Sequence, residues 1–158
     1  MTATAAPNET APVSDLSRII AEHLHREGPL LPILHAVQAQ VGHIPAQAHA
    51  PIAEALNITR AELHGVISFY HDFRDKPAGV HVVRICRAEA CQAVGGAALS
   101  QAVLDKLGLD WHGTTPDGRV TVEPVYCLGL CACGPAAMVD GALRGRATVD
   151  ALLAEVAR

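Results

Sequence analysis

The residues best suited to chemistry in this 158-residue chain are its five cysteines, which fall into two groups. RICRAEACQ holds Cys86 and Cys91 at a C-x4-C spacing, and VYCLGLCACG holds Cys127 and Cys131 at C-x3-C, with Cys133 close behind. Thiolates in a set of four suit a structural zinc or an iron-sulfur cluster, because soft sulfur ligands favour both. Structural zinc commonly uses tight C-x2-C knuckles that bring two sulfurs to one small ion from one turn, and neither pair has that spacing. A two-iron cluster is larger and presents separate irons, so wider loops with one pair per iron are easier to accommodate. A thioredoxin dithiol needs C-x-x-C and a plant-type ferredoxin C-x4-C-x2-C; only the first half of the latter is present, and no Cys-x-His pair supports a Rieske site.

Two loops far apart in the chain must be brought together by the elements around them. After an Ala/Thr/Pro-rich stretch over 1–13, read as a flexible tail, Ser14 is expected as an N-cap. Leu16, Ile19, Ile20 and Leu24 then recur at helical spacing until Gly28-Pro29. Leu30, Ile33, Leu34, Val37 and Val41 form a second stripe, with Pro32 tolerated in its first turn and Gly42 closing it. A third, shorter helix is expected from Pro51 to Leu56. The fourth start is the best specified, with Thr59 and Glu62 forming a capping box and Ile58 and Leu63 a hydrophobic staple. Leu63, Val66, Ile67 and Tyr70 then share a face, with Phe69 and Phe73 towards its front. Short turns between these helices predict a small bundle, a helical domain over 14–73.

At RDKPAG, residues 74–79, the pattern becomes polar and turn-forming, a linker, and then gives way to the β-branched run VHVVRIC. Gly95 and Gly96 open a helix carrying Leu99, Val103, Leu104 and Leu107 and ending at Gly108. Short strands are expected near 109–112 and over 120–125. Beyond the second cysteine group, AAMVDGALRG reads as two strands around an Asp140-Gly141 turn. Thr148 then caps a last helix with Val149, Leu152, Leu153 and Val156 on one face. This order, β-α-β, hairpin, α, is that of a thioredoxin-like domain over 80–158. The fold class is therefore α+β, a helical bundle followed by a thioredoxin-like domain.

Composition excludes other classes. A formal charge of −4 with five aromatics supplies neither a basic phosphate-binding field nor base-stacking platforms, which argues against nucleic acid. The first residues lack a secretory signal, and no apolar run approaches the roughly 18 residues of a membrane span, so a cytoplasmic protein without membrane insertion is expected. In that reducing compartment cysteines serve metal or redox chemistry rather than structural disulfides. There is no nucleophile beside a base, no phosphate-binding glycine loop and no Rossmann fingerprint.

The strings HGVISFYHDF (64–73), RICRAEACQAVGG (84–96) and YCLGLCACGPA (126–136), in this order, resemble the small thioredoxin-like [2Fe-2S] subunit of NADH-oxidising complexes. That family includes a subunit of complex I, its counterpart in bidirectional hydrogenases and the gamma subunit of NAD-dependent molybdenum formate dehydrogenases. The resemblance runs from Ser14 to the end, and CAC followed by GPA is most similar to the formate dehydrogenase subunit. It implies a [2Fe-2S] cluster on Cys86, Cys91, Cys127 and Cys131, with no catalytic residue on this chain. It also implies an electron-transfer role beside a flavin- and NAD-binding iron-sulfur subunit and a molybdenum-containing catalytic subunit. FMN, NAD, [4Fe-4S] clusters and the molybdenum cofactor are then expected on those partners. Complex I and hydrogenase remain the first alternative, and a zinc-stabilised binding module the second.

Given that ligand set, Cys133 reads as a bystander packed as a small hydrophobe. Gly129, between two of the ligands, and Gly134 permit backbone N–H groups to approach sulfur, which raises a cluster's potential. The helix opened by Gly95-Gly96 would act in the same sense if its N-terminus faces the cluster. Arg84 and Arg87 could favour the reduced cluster in the same way, but are expected as solvated arginines near a strand end. The nine histidines form no zinc-binding pair with a cysteine, and Asn57-Ile58-Thr59 is a helix cap rather than a glycosylation acceptor.

Overall fold

The computed structural model describes residues 15–157, so the expected Ser14 cap and the 1–13 tail lie outside the described residues. The chain divides into two compact units, with the boundary between Pro77 and Ala78.

In the first unit, four helices, α1 (Leu16–His23), α2 (Leu30–Val41), α3 (Ala46–Leu56) and α4 (Arg60–Phe69), bury one shared core. Ile33, Leu34, Val37, Ile52 and Leu63 are fully enclosed there. Burial of each such side chain stabilises the unit by roughly 1.5–3 kcal/mol. The capping box forms as read. Thr59 Oγ1 accepts the Glu62 N–H at 3.1 Å, and a Glu62 carboxylate oxygen accepts the Thr59 N–H at 2.7 Å. Ile58 and Leu63 join the same core, as a staple requires.

Two expectations need correction here. Helix α3 starts at Ala46 rather than Pro51, which lies inside it. Pro51 forfeits one amide, but the alanine-rich AQAHA before it has high helix propensity, and burial of Ala48 with Ile52 anchors that extra turn. Helix α4 ends at Phe69, and Tyr70 turns to extended geometry (φ −87°, ψ 104°) and is exposed. Phe73 then folds back off the helix to bury itself against His35, ring centroids 4.9 Å apart, while Phe69 is left 72% exposed.

The second unit carries a four-stranded sheet in the order β2-β1-β3-β4, formed by β1 (His81–Cys86), β2 (Val120–Val125), β3 (Ala137–Val139) and β4 (Ala142–Arg144). The β1 and β2 strands are parallel and the other pairs antiparallel. A parallel pair needs a crossover, supplied by α5 (Glu89–Ala93) and α6 (Gly96–Leu107). Period-two alternation puts Val83, Ile85, Val122 and Val139 into one core with Leu99 and Val103 of α6 and Leu152 and Val156 of α7 (Val149–Val156). The Asp140-Gly141 turn forms with positive φ at both residues, 50° and 84°. The Asp140 carboxylate also clips the turn to β1, accepting the Val82 N–H at 2.8 Å and meeting His81 Nδ1 at 2.7 Å. Thr148 caps α7 as read.

No strand forms at 109–112. Gly113 closes a tight turn there, its amide on the Asp110 carbonyl at 3.0 Å, in a space where a Cβ would stand 2.8 Å from that oxygen. The following backbone pairs irregularly with the outer edge of β2, His112 N–H to the Val122 carbonyl and Thr115 N–H to that of Val120. Among the described residues no helix is long and apolar enough to cross a membrane.

Candidate metal centre

Cys86 is the last residue of β1 and is in register with Val125, the last residue of β2. Two parallel strands that end side by side deliver their following loops to one edge of the sheet, the carboxyl end where open α/β sheets place ligands. The Arg87 N–H extends the pairing to the Val125 carbonyl at 2.8 Å. Cys91 comes back to this edge on α5, a helix that sequence reading missed. Five residues are too few to show a period, and only Glu89 in the first turn hints at a start. Cys127 follows β2, and Cys131 and Cys133 lie on the short 3₁₀ turn Cys131–Cys133.

The thiols come as two pairs. Cys86 and Cys91 are buried and each shifts the other's ionisation, whereas Cys127 and Cys131 are exposed with sulfurs 3.9 Å apart. The pairs sense each other electrostatically: the charge of Cys86 reaches Cys131, and that of Cys131 reaches Cys91. Cys133 has different backbone neighbours. Its carbonyl accepts the Arg146 N–H at 2.6 Å, and a Cβ on Gly145 would lie 2.9 Å from its own.

Backbone amides converge on these sulfurs. Those of Ala88, Cys127 and Leu128 donate to Cys86, that of Ala136 to Cys91, and that of Gly129 to Cys127 at 3.4 Å. To aim them the loop adopts left-handed geometry at Cys127 (φ 89°) as well as at Gly129 (φ 76°). Such a conformation costs a non-glycine residue about 1–2 kcal/mol and is the kind of strain that gathers at functional sites. Glycines close the other side. A Cβ on Gly134 would lie 3.6 Å from the Cys91 sulfur and 2.7 Å from Val94 Cγ2, and one on Gly96 only 2.7 Å from the Cys91 carbonyl oxygen.

Ionisation follows from these contacts. Burial opposes charge on Cys86, yet the surrounding amides and the Cys91 thiol outweigh it and hold its pKa below the ordinary thiol value. Burial, then the Cys86 thiol, pushes Cys91 up, and the hydrogen bond and charge of Cys127 do the same to Cys131. One sulfur of each pair thus resists a second negative charge in a way that a bound cation would relieve. Among the described residues no three His, Cys, Asp or Glu side chains gather around a point that fits a single ion. Two thiol pairs with N–H donors aimed at sulfur are a donor set that can hold a two-iron cluster.

The two arginines beside Cys86 are not simply solvated, as the sequence suggested. Arg84 Nε donates to the buried Glu123 carboxylate at 2.9 Å, across the β1–β2 register. The Arg87 guanidinium lies over the Trp111 ring, 5.1 Å from its centroid. No periodicity signals the second contact, because Trp111 sits in the irregular turn after α6.

The thioredoxin-like [2Fe-2S] ferredoxin family matches residues 16–157. The chain is 32% identical to the HndA subunit of the NADP-reducing hydrogenase of Solidesulfovibrio fructosivorans, over 82% of this chain and 78% of that one. It is 35% identical to one subunit of the NADH-quinone oxidoreductase of Escherichia coli K12, over 81% and 79%. Among solved structures, it superposes on the crystal structure of an NAD+-reducing [NiFe]-hydrogenase in the air-oxidized state with a TM-score of 0.66 and 27% identity. That match covers 81% of this chain and spans 22% of the hydrogenase chain. The chain belongs to the thioredoxin-like [2Fe-2S] ferredoxin family, with a [2Fe-2S] cluster as its cofactor and a kinship to the electron-transfer subunits of NADH-linked complexes.

Proposed function

We propose that Cys86, Cys91, Cys127 and Cys131 hold the [2Fe-2S] cluster, the first two on one iron and the last two on the other, and that the chain exchanges single electrons with an FMN-containing partner subunit. The observation that carries this reading is the arrangement of the thiols as two pairs at one sheet edge, one buried and one exposed. When bound, the cluster supplies a one-electron couple. The buried pair and its amides fix the site, and the exposed pair opens it to a partner. Tyr126, next to Cys127 in the chain, is 69% exposed, and an exposed aromatic there suits a protein neighbour rather than a diffusing substrate. The protein supplies position and electrostatics while the cofactor carries the electron.

In its finer form the proposal is a subunit of a cytoplasmic NAD-dependent formate dehydrogenase, with a flavin/NAD-binding iron-sulfur subunit and a molybdenum-containing catalytic subunit as partners. The CACGPA run supports that choice. A second reading, the equivalent subunit of NADH:quinone oxidoreductase or of an NAD-linked hydrogenase, is favoured by the names of the relatives described above. Purification of the native complex through a tag on this chain separates them. Co-purifying molybdenum with formate-dependent NAD reduction supports the first; nickel with hydrogen-dependent reduction, or quinone reductase activity, replaces it with the second.

A further inference from the structure

We propose that the Arg87 guanidinium, held against Trp111, is a fixed positive charge that raises the reduction potential of this centre, and that Trp111 is the residue that positions it; this rests on the two-iron reading above. Two arginines stand near Cys86, and their surroundings differ. The Arg84 charge is matched at 2.9 Å by the Glu123 carboxylate, so the pair presents little net charge to the cysteines. Arg87 stacks on an aromatic ring, which attracts a cation without neutralising it.

Both members of the stack are anchored. The Arg87 N–H is bound to the Val125 carbonyl at 2.8 Å, and its own carbonyl accepts from Gln92 Nε2 at 2.9 Å. Its backbone is thus tied to the end of β2 that leads into Cys127 and to α5, which carries Cys91. Trp111, the chain's single tryptophan, packs against the core between sheet and helices. Its turn is closed by Gly113 and tied to β2 through the His112 N–H on the Val122 carbonyl at 2.8 Å. An arginine free in solvent is screened over about 8 Å at physiological salt, whereas a partly buried and immobilised one is screened much less. Adding an electron makes the thiolate site more negative, so a cation held on the residue that follows Cys86 in the chain favours the reduced form and raises the potential.

The test is a redox titration of the full-length, cluster-loaded chain followed by visible absorbance, after iron and sulfide have been assayed. R87Q is expected to lower the midpoint potential. W111L, which changes no charge, is expected to lower it in the same direction, with the double variant no lower than R87Q alone, and W111F to retain the wild-type value. K106Q makes the same charge change about 15 Å along α6 from the Gly96 end that abuts Cys91 and is expected to leave the potential unmoved. Should W111L fail to take up the cluster, R87K replaces it, keeping the charge but losing the planar stack; its potential is expected between wild type and R87Q. A potential in R87Q no lower than in K106Q overturns the proposal, as does one lowered by R87Q but by neither W111L nor R87K. Absence of iron and sulfide from the wild-type protein overturns the two-iron reading itself, and is seen before any variant is titrated.

Discussion

Cys131 and Cys133 lie on the same 3₁₀ turn and differ in what surrounds them. The Cys131 sulfur stands 3.9 Å from that of Cys127, while Cys133 packs beside Gly145. Substituting Cys131→Ala is therefore expected to abolish the visible absorbance and the paramagnetic signal of the reduced protein, and Cys133→Ala to retain both. The glycines differ in the same residue-by-residue way. A Cβ on Gly134 meets the tip of Val94, a half-exposed side chain with solvent to turn into, whereas one on Gly96 meets the immobile Cys91 carbonyl. Gly134→Ala is expected to be tolerated, and Gly96→Ala to cost about 1–3 kcal/mol and to lower the melting temperature as α6 is pushed off Cys91. The four thiols proposed as ligands are picked out by their spacing and their flanking strings. The Arg87–Trp111 stack is not, because a contact between a strand end and a distant turn leaves no mark in either local sequence.

Where a helix or hairpin is specified by local chemistry, element and sequence agree. The Thr59–Glu62 box and the Asp140-Gly141 turn need only a few adjacent residues, and both form as read. Thr59→Ala is expected to destabilise the helical unit by about 1 kcal/mol, read as a lower thermal midpoint by circular dichroism. Agreement fails where long-range packing decides. Helix α3 extends through Pro51 because Ala48 finds a buried place, α5 is too short to have a period, and 109–112 is drawn into a turn by pairing with β2. The same helical unit holds a half-buried imidazole whose inner nitrogen is enclosed. His49 Nε2 has no hydrogen-bond partner, and burial, followed by the charges of His64 and Arg60, holds its pKa below the ordinary histidine value. As the pH falls through about 6.5 the unfolded chain takes up this proton and the folded chain does not, so the stabilisation present above that pH is progressively lost. Thermal melts are expected to show a midpoint lower at pH 5.5 than at pH 7.5, and the His49→Leu variant a smaller difference between the two.

At the scale of the molecule, two units each bury a core of their own, and all five cysteines belong to the second. A chain beginning at Ala78 is accordingly expected to fold and to keep the visible spectrum of the whole. Loss of cluster from that fragment would show that the helical unit is required to hold the site. The thioredoxin-like order of elements was legible because each of its turns and stripes is local, while the parallel β1–β2 pairing that unites the two loops is a property only of the assembled sheet. The central claim is that these loops clasp a pair of irons between two thiol pairs. Low-temperature electron paramagnetic resonance of the dithionite-reduced protein, together with iron and acid-labile sulfide assays, tests it most directly. Two irons and two sulfides per chain are predicted, with a signal from one unpaired electron that is lost in the Ala variants of Cys86, Cys91, Cys127 and Cys131. Colourless protein containing zinc and no sulfide, and silent after reduction, would contradict it.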